Sequence, residues 1–452
     1  MDIQQSKKQF ILNTPLKEVM WKLSLPAIAA MVFYGLNAFM DTVYVGQLLN
    51  EEALAGIALA YPLTNMMMGL GSWVGTGAGN YISILLGENN EEELVKVLPN
   101  ATFFTLIGTL IFAIPAYIFS EELIALMGAS NAILAYGNSY LKITLLASPL
   151  WVYALQLNFI VRAEGKMKKA AIMMIYGLAV NILLTPLFIK YLNMGIEGAA
   201  WATNVGMLIY CIVGYRYFIS NQPSFSAKIN DVQFDTKILP RILKLGFPGF
   251  IMSMMGLIQA LVVFNAVVKV GTENDLAFFA AANRIQLFLM TPLFGLMRAL
   301  QPVAGVNFGA KKYDRVKKSF LLFSKTGLLL VLPFWLFLML FPEIVIRLVL
   351  PNTTISISDI FNFRIYMAII PFLPLVFMAL TYLPAINHPK PASIIGIARQ
   401  VVFYIPVMIV LPIYAGINGI YYGTTIIDII ITIWTLYIVR KTFYTILKTK
   451  ES

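Results

Sequence analysis

Asp41 lies within PAIAAMVFYGLNAFMDTVYVG (26–46), about twenty mostly apolar residues that, as a helix, would cross a bilayer core of roughly 30 Å. Inserting a carboxylate at the centre of such a helix costs on the order of 2.5–3.5 kcal/mol, so these residues face a protein interior or a watery cavity. Asn37 precedes Asp41 by one helical turn on the same face. Pro26 opens the stretch and supplies a kink. The chemistry open to such a group is uptake and release of a proton or small cation. The rival reading is a hydrogen-bonded Asp that only ties helices together.

Only one other acid, Asp428, lies well inside an apolar run. The basic residues well inside runs are Arg284, Arg298, Lys325 and Arg399, all in the second half of the chain. Arg284 or Arg399 is expected to pair with Asp428 as a structural network, and Arg298 and Lys325 to snorkel to the nearer membrane face. The first half has no basic residue well inside a run. Asp41 is therefore left without an ion partner, as a site that loads and releases a proton or cation requires. Its candidate neighbours are Asn181 and Thr185, one turn apart just before Pro186, and Thr203 and Asn204 in the following run. Each of these, taken alone, could equally be a packing hydrogen bond.

Phosphate-loop, HExxH, GxSxG and Cys/His-cluster patterns are missing from the sequence, which argues against an ATP-driven pump subunit, a zinc protease and a serine hydrolase. The expectation is a non-enzyme with no cofactor beyond a coupling ion, and no metal beyond sodium at Asp41. The single Cys211 gives no disulfide within the chain, and the single His388 sits in a loop sequence, NHPKP. The glycines of GSWVGTGAGN (71–80) fall inside an apolar run and read as close helix packing. Counts of 22 Met, 31 Phe and 22 Tyr suit flat organic ligands, although most of these side chains would meet lipid.

The elements that must position these residues follow from composition. Of 452 residues, 59% are hydrophobic and 12% charged, against about 25% charged in soluble domains. The fold class is an all-α polytopic membrane protein. Apolar runs of spanning length fall near 22–46, 53–85, 97–119, 139–161, 170–190 and 197–218, then near 241–269, 275–306, 318–341, 360–386, 392–413 and 419–440. That predicts twelve transmembrane helices, with an N-terminal lobe at 1–218, a polar cytoplasmic linker at 219–240 and a C-terminal lobe at 241–452. The first twenty residues are polar and no cleavage site follows the first run, so no removable signal peptide is expected. Lys and Arg crowd the N-terminus, loop 162–169, loop 309–318 and the C-terminus, while Glu52, Glu121, Glu122 and Asp275 mark the opposite loops. Both termini should then be cytoplasmic, and the net charge of +11 reflects this bias rather than nucleic acid.

The halves repeat. KLSLP (22–26) matches KLGFP (244–248), Gly87 matches Gly309, and Pro149 matches Pro371, each pair 222 positions apart. MGIEG (194–198) matches AGING (415–419) at a shift of 221. Six helices per repeat place both halves in the same orientation, related by a pseudo-two-fold axis along the membrane normal with a cavity between them.

The stretches LSLPAIAAM…MDTVYVG, LAGIALAYPL, GTGAGNYIS, NILLTPLFI, GIEGAAWAT, LQPVAGVNFGAKKYDRVKK and RQVVFYIPVMIVLP, in this order along essentially the whole chain, resemble the multidrug and toxic compound extrusion family of the MOP superfamily, in its DinF-like, MepA-like branch. The resemblance implies two six-helix lobes around a V-shaped cavity and export coupled to sodium or proton entry. It carries Asp41, Asn181 and Thr203 over to the polar first-lobe site. Two departures stand out. Thr185 occupies a helix 5 position that is usually acidic, and the acids that NorM-type relatives carry on helices 7 and 10 are missing. The expected function is therefore a secondary active antiporter in the cell membrane. It would export amphiphilic, often cationic compounds in exchange for H+, with weaker Na+ coupling possible, using Asp41, Asn181, Thr185 and Thr203. Its expected partners are small organic substrates and membrane lipids, with a monomer as the unit. The rival is a flippase for a lipid-linked precursor, which would need basic residues in the cavity to meet phosphates.

Overall fold

A computed structural model describes residues 2–129, 131–220, 222–350 and 355–451. The chain begins with α1 (Asp2–Asn13), then α2 (Leu16–Leu48), α3 (Glu51–Glu88), α4 (Glu91–Ile118) and the short α5 (Ser120–Leu126). α6 (Asn131–Leu146) and α7 (Ser148–Ala163) form one span bent by 54°. α8 (Met167–Pro186) and α9 (Gly195–Ile219) complete the first half. The second half runs through α10 (Ile238–Val270), α11 (Glu273–Gly309), α12 (Tyr313–Leu340), α13 (Pro342–Val349), α14 (Ile357–Ala368), α15 (Leu373–Ala385), α16 (Pro389–Ile397) and α17 (Ile405–Glu451). Among the described residues nine helices are long and apolar enough to cross a membrane, and the bent α6–α7 pair makes ten. α10 adds another by its 33-residue length. A break at Gly416, whose φ of 57° only glycine adopts freely, divides the continuous apolar stretch Pro389–Thr445, which runs through α16 and α17, into two spans. The twelve predicted runs are all found.

The buried side chains fall into two large clusters. One is built mostly from residues after Val263 and the other mostly from residues between Ala30 and Leu245. Each half nonetheless takes a piece of the other. Val19, Met20, Leu23 and Ala27 of α2 are buried in the second-half cluster, and α2 joins the first-half cluster only from Ala30 onward. Symmetrically, Ile238, Ile242 and Leu245 of α10 are buried in the first-half cluster, while Val263 and Ala266 belong to the second. Pro26 and Pro248 stand at the two changeovers, inside helices that run through them unbroken.

Glycine permits the backbones of the halves to meet. A Cβ on Gly246 would lie 1.8 Å from the Trp73 carbonyl oxygen, and one on Gly77 2.0 Å from that of Ile242. The repeat-related Gly87 and Gly309 pack against each other where α3 meets α11, and Gly295 of α11 packs on Ile28 of α2. Among the described residues these approaches gather toward the end of the bundle that carries the basic loops. There α1 lies across both halves. Lys8 Nζ donates to the Gly87 carbonyl (3.3 Å) and to Asn89, while Arg315 Nη2 donates to the Ile11 and Thr14 carbonyls (2.8 Å each). The segment predicted as a linker is also held. Phe225 and Ile229 are buried, and Asp235 accepts from the backbone N–H groups of Lys237 (2.7 Å) and Ile238 (3.2 Å) at the start of α10. Those two bonds hold the Asp235 carboxyl below its ordinary range.

Candidate functional site

α2 carries Asp41 and Asn37 onto the face that meets α8, and α8 presents Asn181 and Thr185 one turn apart. Thr203 comes from α9. The Asn181 amide is placed by its neighbours. Its Nδ2 donates to Asp41 Oδ1 at 3.1 Å, and its Oδ1 accepts from Thr203 N at 3.2 Å and lies 3.1 Å from Thr203 Oγ1. The Asn37 amide meets the same group at 2.5 Å. Thr185 Oγ1 lies 3.5 Å from Asp41 Oδ1, but its proton goes to the Asn181 carbonyl at 2.9 Å. A hydroxyl has one proton to give, so Thr185 offers Asp41 little more than a nearby oxygen. Asp41, Asn37, Asn181, Thr185 and Thr203 are thus brought together. Asn204 is not among them. It accepts from Trp151 Nε1 (3.2 Å) and donates to the Ile143 carbonyl (2.7 Å), tying α9 to the α6–α7 span.

No Lys or Arg lies within ion-pair distance of Asp41 among the described residues. Asp428 differs. It is 1% exposed and pairs with Arg399 Nε at 2.7 Å, as one of the two expected partners. Arg284 is not the other, because it is exposed on α11 and forms no ion pair with Asp428 among the described residues.

Two further expectations are corrected. Arg162 is not a loop residue: it ends α7 and is 3% exposed. Arg298 does not snorkel. It reaches across into the first half, with Nη1 3.6 Å from the Met174 sulfur on α8. The premise that the first half encloses no basic side chain therefore fails.

The second half holds a polar cluster that reading residue types one at a time missed. Gln259 Nε2 donates to the Tyr404 hydroxyl at 3.0 Å, and that hydroxyl lies 3.5 Å from Thr424 Oγ1. Gln400 Nε2 donates to Gln259 Oε1 at 3.2 Å. The repeat offset held the signal. Gln259 stands 222 positions after Asn37, and Thr424 stands 221 after Thr203. Both threonines bond back to the carbonyl four residues earlier, Ala199 at 3.0 Å and Ile420 at 2.9 Å. The position matching Asp41 is Val263, which is buried. The two clusters share a plan, but only the first has an unpaired carboxylate.

The geometry places one base among neutral donors and acceptors contributed by three helices. An amide whose NH2 faces a carboxylate and whose oxygen faces a hydroxyl is sensitive to the proton on that carboxylate. If Asp41 took a proton it would become a donor, and the favoured amide orientation would reverse.

The MatE family model matches residues 26–187 and 247–410, one stretch in each half of the repeat. The multidrug export protein MepA of Staphylococcus haemolyticus (strain JCSC1435) is 24% identical over 422 residues, 93% of each chain. MepA of Staphylococcus aureus (strain NCTC 8325 / PS 47) is 27% identical over 300 residues, 66% of each. Among solved structures, a MATE in the bent conformation superposes with a TM-score of 0.92 over 99% of both chains at 23% identity. An outward-facing multidrug resistance MATE family transporter of the MOP superfamily gives 0.89 over 97% of this chain and 98% of that one, at 23% identity. With both halves matched in order and the fold shared along its length, this multi-pass membrane chain belongs to the MatE family.

Proposed function

We propose that the protein is a secondary active antiporter that exports amphiphilic organic compounds, often cationic, in exchange for protons, with sodium as a weaker alternative. Two lobes, 1–218 and 241–452, alternate access to the cavity between them, and both termini face the cytoplasm. The observation that carries this reading is Asp41, partly buried without a cation beside it and touched by an amide that also bonds helix α9. Gaining a proton there changes what Asn181 must do, and so changes how α2 sits against α8 and α9. Beyond Pro26 the outer part of α2 packs in a different core from its beginning, so it can move against that beginning.

Sodium prefers several oxygens and gains from each negative charge. Asp41 supplies one charge, and Thr185 stands where a second acid would have been. A proton needs only the single base. The relatives named as multidrug export proteins support the substrate class. The test is efflux of a fluorescent amphiphilic cation from vesicles under a proton gradient alone and a sodium gradient alone. Asp41→Asn keeps size and hydrogen bonding while removing the titrating group, and it should abolish the proton-driven component in a folded protein. Intact proton-driven efflux by that variant would leave Asp41 a structural residue. The flippase reading gains one observation, the two arginines inside the first half.

A further inference from the structure

Arg162 of α7 and Arg298 of α11 both lie at the seam between the halves, and among the described residues neither forms an ion pair with a carboxylate. The Arg162 guanidinium lies over the Phe159 ring, 3.8 Å from its centroid, and its Nε has no hydrogen-bond partner. Arg298 is its electrostatic neighbour, and both lie near Tyr210 of α9. Tyr210 is 3% exposed, and its hydroxyl also lacks a partner. One turn after Arg298, the Gln301 side chain is 3% exposed with its Nε2 unpartnered, close to the backbones of Gly79 and Phe159. Arg298 itself finds the Met174 thioether, a weak acceptor. The nearby acid, Glu164, is committed elsewhere: Lys166 Nζ lies 2.9 Å away, and it accepts from Tyr217 and from the Ser224 backbone N–H.

These groups have one thing in common. Every unmet atom among them can donate a hydrogen bond, and the two formal charges are both positive. Buried charges without counter-charge are costly, and buried donors without acceptors add to that cost. An oxyanion, which only accepts, satisfies all of them together. The site is also placed for a ligand. Arg298 keeps part of its surface accessible, and Tyr34 is an electrostatic neighbour of both Arg298 and Asp41.

We propose that Arg162 and Arg298, with Tyr210 and Gln301, form a binding site for the anionic group of an amphiphile, a carboxylate, sulfonate or phosphate. On the export reading above, on which this rests, the substrates then include anionic and zwitterionic amphiphiles as well as cations. A guanidinium fork can give two parallel bonds to a carboxylate, sulfonate or phosphate, which suits both arginines to such a group.

The test uses the full chain in phosphatidylcholine nanodiscs, without any ion gradient, so that its failure is separate from a failure of coupled export. The probes are 1-anilinonaphthalene-8-sulfonate and N-phenyl-1-naphthylamine, which differ by the sulfonate. Fluorescence is read against empty nanodiscs. Arg298→Gln should weaken sulfonate binding by about tenfold or more, the worth of one charge-assisted hydrogen bond, and leave the neutral probe unchanged. Arg162→Gln should act in the same direction, and Arg298→Lys should retain part of the difference. Repeating the titration in phosphatidylglycerol-containing nanodiscs identifies the source. Loss of sulfonate binding in the unmodified protein beyond that seen with Arg298→Gln assigns the site to a lipid phosphate, and no such loss assigns it to a soluble ligand. Both support an anion site. Equal weakening of both probes by Arg298→Gln, or sulfonate binding unchanged by both Gln variants, overturns the proposal.

Discussion

Gly246→Ala should open the basic end of the bundle without unfolding it. The added Cβ would sit 1.8 Å from the Trp73 carbonyl oxygen and 2.9 Å from the Gly77 nitrogen, where ordinary contact begins at 3.4 Å. Neither neighbour is a flexible side-chain tip, so α3 and α10 must part by about 1.5 Å. Overpacking of this kind costs typically 1–3 kcal/mol. Here the strain exists only while the halves are closed at this end, because parting them relieves it. The equilibrium between closed and open forms should therefore shift by roughly tenfold to a hundredfold, at about 1.4 kcal/mol per factor of ten. Ser83, fully buried on α3 beside Gly305 of α11, is a suitable reporter. In a Cys211→Ser background, Ser83→Cys should react slowly with a membrane-impermeant maleimide, and adding Gly246→Ala should raise its rate by that factor. A folded Gly246→Ala protein with unchanged labelling and unchanged transport would refute the idea that this crossing holds the end shut.

Arg399→Leu leaves Asp428 buried and unpaired and should lower stability by about 3–5 kcal/mol, read as a drop in thermal unfolding temperature, whereas Asp428→Asn should cost clearly less. Thr185→Asp supplies the second carboxylate and should raise the sodium-driven share of efflux at fixed symmetric pH; no change would mean that Thr185 is outside the coupling site. Single cysteines at Glu52 and Lys311, both exposed, should label from opposite sides of the membrane, and labelling from one side would overturn the topology.

What could be read from the sequence depended on the kind of signal. Apolar runs and the 222-residue offset gave the twelve spans because lipid leaves few alternatives for a long apolar segment. Asp41 was legible because a carboxylate in such a run is costly, and Asn181, Thr185 and Thr203 because they fall at one-turn spacing or match a family site. Arg162 and Arg298 were misplaced for a different reason. A run gives depth along its own axis, but not whose interior a long side chain enters, and Arg298 belongs to one half while its head lies in the other. Gln259 and Thr424 were within reach of the offset but are neutral, so a search for charge passed over them, while Tyr404 falls opposite apolar residues of the first half and carried no such signal.

The exchange of helix beginnings between the two cores has a consequence for biogenesis. Val19 to Ala27 leave the ribosome early, yet the core that buries them is built mostly from residues beyond Val263. Until then α2 can pack only its outer part, and Ile242 and Leu245 must return to a first half already inserted. Domain-by-domain folding during synthesis is thus barred to this chain. The nascent protein must hold a membrane-inserted helix with an unsatisfied end through more than half of its translation, and that interval is when a quality-control protease or a chaperone in the bilayer would find it.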